Sequence, residues 1–131
     1  MLDIEELARL SVDCGLRVHR ELGPGLLESV YESLLAVRLG QAGLYVERQK
    51  ALPVTLPDLQ IAEGFRVDLL VEDRLIIEVK AVQRLATIHS TQLLTYLRLS
   101  KQPFGLLMNF GEETFRQGLR RIVNGASDYR A

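Results

Sequence analysis

The chain has 131 residues, 47% hydrophobic and 25% charged, with a formal net charge of −1 at pH 7. That length suits one domain rather than two, and the composition is that of a globular protein. No apolar run approaches the ~20 residues of a membrane-spanning helix.

Residues 3–21 read as a helix that Asp3 can cap, with Ile4, Leu7, Cys14 and Val18 at helical spacing. His19, near its end, reads as a surface or capping residue. Leu22-Gly23-Pro24-Gly25 breaks this helix. A second helix is expected over 26–39, with Leu27, Val30, Leu34 and Val37 as its buried stripe. Glu28 lies in its first turn, where the helix dipole favours an anion. Tyr31 is three residues on, on the same side. Glu32 shares that side and reads as solvated.

Residues 44–56 contain the first strand, with Pro53 and Pro57 marking an edge or strand end. Pro57-Asp58-Leu59 is turn chemistry, and a second strand is expected from about Ile61. Phe65 to Lys80 then reads as a β-hairpin around Glu72-Asp73-Arg74, with Val71 facing Leu75 and Asp68 opposite Glu78. Alternation puts Val67, Leu69, Val71, Leu75, Ile77 and Val79 on one apolar face. Arg66, Asp68, Glu78 and Lys80 share the other, with Leu70 and Ile76 nearer the turn.

A third helix is expected over Thr87–Ser100, with Ile88, Thr91, Leu94 and Leu97 toward the sheet and Gln92 and Tyr96 sharing another face. Phe104 to Phe110 fits a buried strand, or an apolar edge for self-association. Phe115 to Val123 fits a last strand carrying Arg116, Arg120 and Arg121. The tail, Asn124 to Ala131, reads as frayed. The order is helix, helix, three strands, helix, strand and one strand more: an α+β (mixed α/β) fold, a mixed β-sheet flanked by helices.

Two carboxylates opposed across strands repel each other. A divalent cation offsets this well, because hard cations take carboxylate oxygens. Asp68 and Glu78 therefore read as a metal site with Lys80 beside it, against the plainer reading of a solvated, charged sheet face. Glu28 is a candidate third carboxylate. Net charge alone does not advertise nucleic-acid binding. The acidic excess, however, lies in residues 1–83 and the basic excess in residues 84–131, an arrangement suited to a phosphate-containing substrate. Gly23-Pro24-Gly25 precedes a helix but is not a GxGxxG loop. The single cysteine, Cys14, excludes an intrachain disulfide, and the acidic N-terminus lacks signal-peptide character. A cytoplasmic location is expected.

With these residues placed, the sequence resembles the GxxExxY family, a branch of the PD-(D/E)XK nuclease superfamily. Gly25-Leu26-Leu27-Glu28-Ser29-Val30-Tyr31 matches the name-giving motif. Asp68 followed by Glu78-Val79-Lys80 matches the D…ExK signature, although Val67 replaces the proline of that signature. Gln92-Leu93-Leu94-Thr95-Tyr96 resembles a QxxxY motif, and Gly105 to Gly111 the last core strand. The resemblance implies one domain over 1–131 with a restriction-endonuclease-like αβββαβ core over about 22–111, an extra N-terminal helix and a C-terminal strand. It implies a nuclease holding Mg²⁺ or Mn²⁺ on Asp68, Glu78, the Val79 carbonyl and Glu28. Lys80 would be the catalytic lysine, and Gln92, Tyr96 and Tyr31 supporting residues. Arg66, Arg84 and Arg98 are candidates for nucleic-acid backbone contacts, and a homodimer would span a duplex. The alternative is a non-catalytic module that binds nucleic acid or protein through the same fold.

Overall fold

The computed structural model describes residues 1–125. Helix α1 spans Ile4–Leu22 and α2 Glu28–Gln41. Strands β1 (Val46–Leu56), β2 (Leu59–Val71) and β3 (Leu75–Lys80) follow. Then come α3 (Thr87–Ser100), β4 (Phe104–Asn109), the single turn α4 (Phe115–Gly118) and β5 (Leu119–Val123). No helix among the described residues is long and apolar enough to cross a membrane.

The five strands lie side by side in chain order. Three neighbouring pairs are antiparallel. Only β3 and β4 run parallel, because α3 carries the chain back between them. Helices α1 and α2 cover one face: Leu7, Val18, Tyr31, Leu35 and Leu39 pack on Leu69, Ile77, Val79 and Met108. Helix α3 covers the other, with Leu93 and Leu97 on Leu70, Ile76 and Leu107. This is an α+β fold of the restriction-endonuclease-like kind, with the N-terminal helix and the C-terminal strand in place. Strands covered on both faces read as near-continuous apolar runs, as β3 and β4 do.

Local chemistry sets the element ends. Asp3 caps α1 in a reciprocal box with Glu6, accepting from the Glu6 N–H at 2.8 Å. The β2–β3 turn has Glu72 and Asp73 at φ 53° and 59°, closed by the Arg74 N–H on the Val71 carbonyl at 3.0 Å. Two positive φ values in a row are the mirror-image turn that suits a hairpin's twist. Arg121 ties β5 to α1: it pairs with Glu5 and lies over the Phe104 ring at 3.7 Å.

Several expectations are corrected here. The inward stripe of α2 is Tyr31, Glu32, Leu35 and Leu39; Leu27, Val30 and Val37 are exposed. The helix is apolar on two sides, so periodicity alone does not choose between them. On α3, Leu93 and Leu97 face the sheet, while Ile88 and Thr91 are exposed. Val67 packs with the α3-side cluster rather than with Leu69. The alternation breaks there, at the level where β1 opposite carries Gln49 at φ 49°. His19 is 8% exposed, stacks on Phe110 and bonds the Glu112 carbonyl at 2.9 Å. Glu32 is 6% exposed rather than solvated. Strand β4 lies between β3 and β5, so Phe104 to Phe110 offers no edge. Phe115 to Gly118 forms a helical turn before β5, so Arg116 precedes the strand. Of the tail read as frayed, Asn124 bonds the carbonyls of Leu97 and Gln102, and residues 126–131 lie outside the described residues.

Candidate functional site

The β2–β3 hairpin is paired at one end and parted at the other. Val71 faces Leu75, Leu70 faces Ile76 and Leu69 faces Ile77. One step further, side chains replace the backbone ladder. The Asp68 N–H donates to Glu78 Oε2 at 2.8 Å, and the Val79 N–H donates to Asp68 Oδ2 at 2.8 Å. The strands open there because two carboxylates occupy the space between them, each satisfying a backbone donor the ladder has released.

Glu78 is only 3% exposed. Burial first, and then the charge of the neighbouring Asp68, raise its pKa to about 8 against the opposing pull of the Asp68 N–H and Lys80. Glu28 is likewise raised, first by packing around its carboxyl, with Asp68 and Glu32 adding to it; Lys80 and the Ala81 N–H oppose the shift. The Tyr96 hydroxyl is raised by burial and then by Glu78 and Asp68. These shifts place Glu28, Asp68, Glu78, Lys80 and Tyr96 in one electrostatic neighbourhood. Lys80 makes no ion pair with any other described residue; its charge acts on the whole cluster.

The elements hold these groups in distinct ways. Glu28 is the first residue of α2, delivered by a loop with Gly23 and Gly25 at φ 67° and 107°, a region that favours glycine. Tyr31 is fully buried and stacked on Phe110 at 4.9 Å. Its hydroxyl donates to the Gly23 carbonyl at 2.6 Å and accepts from the Leu26 N–H at 3.0 Å. The tyrosine thus pins the loop that presents the glutamate. Beyond Lys80, the chain is held by buried Asn109, whose Oδ1 accepts from the Val82 N–H at 3.0 Å and whose Nδ2 donates to the Val82 carbonyl at 2.9 Å. A side chain on Gly111 would collide with that carbonyl.

The other sequence-predicted residues are spread around this cluster. Tyr96 stacks on Phe65 at 4.7 Å, and Gln92, one turn earlier on α3, is exposed. Arg66 donates to the Gln49 carbonyl at 2.9 Å and pairs loosely with Glu63 at 3.8 Å. Arg84 is exposed on the connection to α3, and Arg98 is exposed on α3 itself. Sequence reasoning missed Arg48 and Gln49. Arg48 pairs with Glu32 at 3.1 Å. Gln49 Nε2 donates to Glu32 Oε1 at 2.8 Å and to Asp68 Oδ1 at 3.2 Å. The one available signal was Glu32 itself, four residues after Glu28 and hence on the same side of α2.

The donor chemistry fits a hard divalent cation. Every donor at the opening is oxygen, and the high proton affinity of Glu78 is a demand for positive charge beside it. Among the described residues, no three His, Cys, Asp or Glu side chains stand together as a ready cage. Two carboxylates would suffice only for an ion such as Mg²⁺ that keeps several waters, and Asp68 and Glu78 are the residues that would hold it.

Comparison with known proteins adds the family. Residues 5–122 match the family model of the PD-(D/E)XK nuclease superfamily. No curated protein and no solved structure matched the chain. With a match over most of its length and a fold that agrees, the chain belongs to the PD-(D/E)XK nuclease superfamily.

Proposed function

We propose that this protein is a divalent-metal-dependent nuclease of the GxxExxY branch that hydrolyses phosphodiester bonds in nucleic acid. The observation that carries this reading is the hairpin opening, where buried Glu78 and half-buried Asp68 face one another with Lys80 alongside. The branch is supported by the motif's physical role: Tyr31 closes the glycine loop that sets Glu28 next to Lys80 and Ala81.

In this reading Asp68, Glu78 and the Val79 carbonyl would hold Mg²⁺ or Mn²⁺, and Glu28 would complete the shell directly or through water. The bound ion supplies Lewis acidity and lowers the pKa of a coordinated water. Lys80 orients the attacking water or neutralises charge on the phosphate, its ammonium left available by the lack of an ion pair. Tyr96 and Gln92 flank the substrate, and Tyr31 supports Glu28 from beneath. Arg66, Arg84 and Arg98 contribute backbone contacts, which give affinity rather than sequence choice. Two copies would be needed to cut both strands of a duplex at one place.

The test is calorimetric titration of Mn²⁺ into wild type and Glu78→Ala, followed by cleavage assays on single- and double-stranded DNA and RNA. Binding and cleavage by the wild type only are expected. Equal cleavage by a clean preparation of Glu78→Ala overturns the mechanism. Binding of nucleic acid without cleavage on any substrate points instead to the non-catalytic module.

A further inference from the structure

Four non-glycine residues have positive φ among the described residues. Glu72 and Asp73 form a turn and Lys101 caps α3. Gln49, at φ 49°, lies inside a strand. Such backbone is disfavoured for a residue with a side chain and persists only where its surroundings hold it. Arg48 faces Leu69 and Lys50 faces Val67, so Gln49 sits at the level of Asp68. Its carbonyl is held by Arg66 at 2.9 Å.

The bent backbone delivers the side-chain amide between two carboxylates. Nε2 donates to Glu32 Oε1 at 2.8 Å and to Asp68 Oδ1 at 3.2 Å. Both neighbours are acceptors, so the nitrogen rather than the amide oxygen must face them. Glu32 is itself fixed by Arg48, through Nη2 at 3.1 Å and Nε at 3.3 Å. Asp68 therefore has both oxygens held: Oδ1 by Gln49 and Oδ2 by the Val79 N–H. Each oxygen keeps a further lone pair. A carboxylate restrained this way presents those lone pairs in a fixed direction, whereas an unrestrained one would rotate.

We propose that Gln49, held by Glu32, which Arg48 fixes in turn, is a positioning residue that orients the Asp68 carboxylate for cation binding. This rests on the metal site proposed above. A neutral amide is the side chain suited to the task, because it offers two hydrogens and adds no charge. Glutamate there would repel both neighbours, and asparagine is one methylene too short to keep both contacts.

The test uses Gln49→Met, which keeps the volume and removes the donors, and Gln49→Gly, which also relieves the backbone. Folding is checked by thermal melting. The expected result is Mn²⁺ affinity lower by about 10- to 100-fold in both, the range for losing a group that orients a metal ligand. In the metal-free proteins, the Val79 amide proton should move upfield as its bond to Asp68 loosens. Glu32→Gln should weaken Mn²⁺ binding less, and should add little to Gln49→Met in the double variant, because its effect runs through Gln49. Wild-type Mn²⁺ affinity, or an unmoved Val79 resonance, in a folded Gln49 variant overturns the proposal; a strut that merely joins β1 to α2 would give both. Failure of the wild type to bind Mn²⁺ overturns the metal reading instead, and the Val79 resonance still decides whether Gln49 orients Asp68.

Discussion

The two ends of the β2–β3 hairpin obey opposite rules. Toward the turn, three backbone-paired rows place Leu69, Val71, Leu75 and Ile77 fully out of water. Toward the opening, backbone pairing is given up and two acids stand where the next row would be. The turn end is built for stability. The open end holds a buried carboxylate that the fold tolerates at a cost, and such costs concentrate where chemistry is done. The difference lies in what each residue is asked to satisfy: apolar area at one end, released backbone donors and a positive charge at the other.

The comparison breaks most visibly at the turn end. Ile77→Ala should lower stability by about 2–5 kcal/mol, the usual range for emptying a packed aliphatic site, read by urea denaturation. The open end should respond to pH instead. Burial and the neighbouring Asp68 raise the Glu78 pKa to about 8 in the fold, against 4.5 for an ordinary glutamate. Between those values the unfolded chain has lost a proton that the folded chain keeps. The contribution of Glu78 is therefore fully present below pH 4.5 and is lost as pH rises toward 8, by about 1.4 kcal/mol per pH unit. Urea titrations of metal-free protein from pH 5 to 8 should show this fall, and Glu78→Gln should flatten it. That variant should be more stable than wild type at pH 8 and inactive; a profile as steep as wild type would show that Glu78 is not the group responsible. The smallest effect is expected at the turn itself. Asp73→Gly should raise stability by about 0.5–1 kcal/mol, because glycine accepts the positive φ without strain. The same denaturation measurement reads it.

Much of this was legible in the residues. The hairpin register followed from alternation and from the charged turn, both local signals. The α1 cap and the span of α3 were equally local. Which side of a helix faces inward was not. On α2, Leu27, Val30 and Val37 compete with Tyr31, Leu35 and Leu39, and the choice is made by where the sheet lies. The same holds for Ile88 and Thr91 against Leu93 and Leu97 on α3. At the site, Asp68 and Glu78 could be brought together from their strands alone, although the backbone pairing expected between them stops one row earlier, at Leu69 and Ile77. Glu32, Arg48 and Gln49 could not, because their contacts join a helix to an edge strand and depend on a backbone bend that no local preference predicts.

The segment just beyond Lys80 has a consequence for the order in which the molecule takes shape. Val82 is fastened by Asn109 on both its N–H and its carbonyl, and Lys80 itself is capped by the Phe110 N–H at 2.8 Å. Strand β3 also acquires its second neighbour only when β4 arrives. On a ribosome, the lysine would emerge well before the residues that lock it. A half-made chain would thus carry every acidic group of the centre without the frame that aims them. The frame around the candidate centre would be completed late in synthesis.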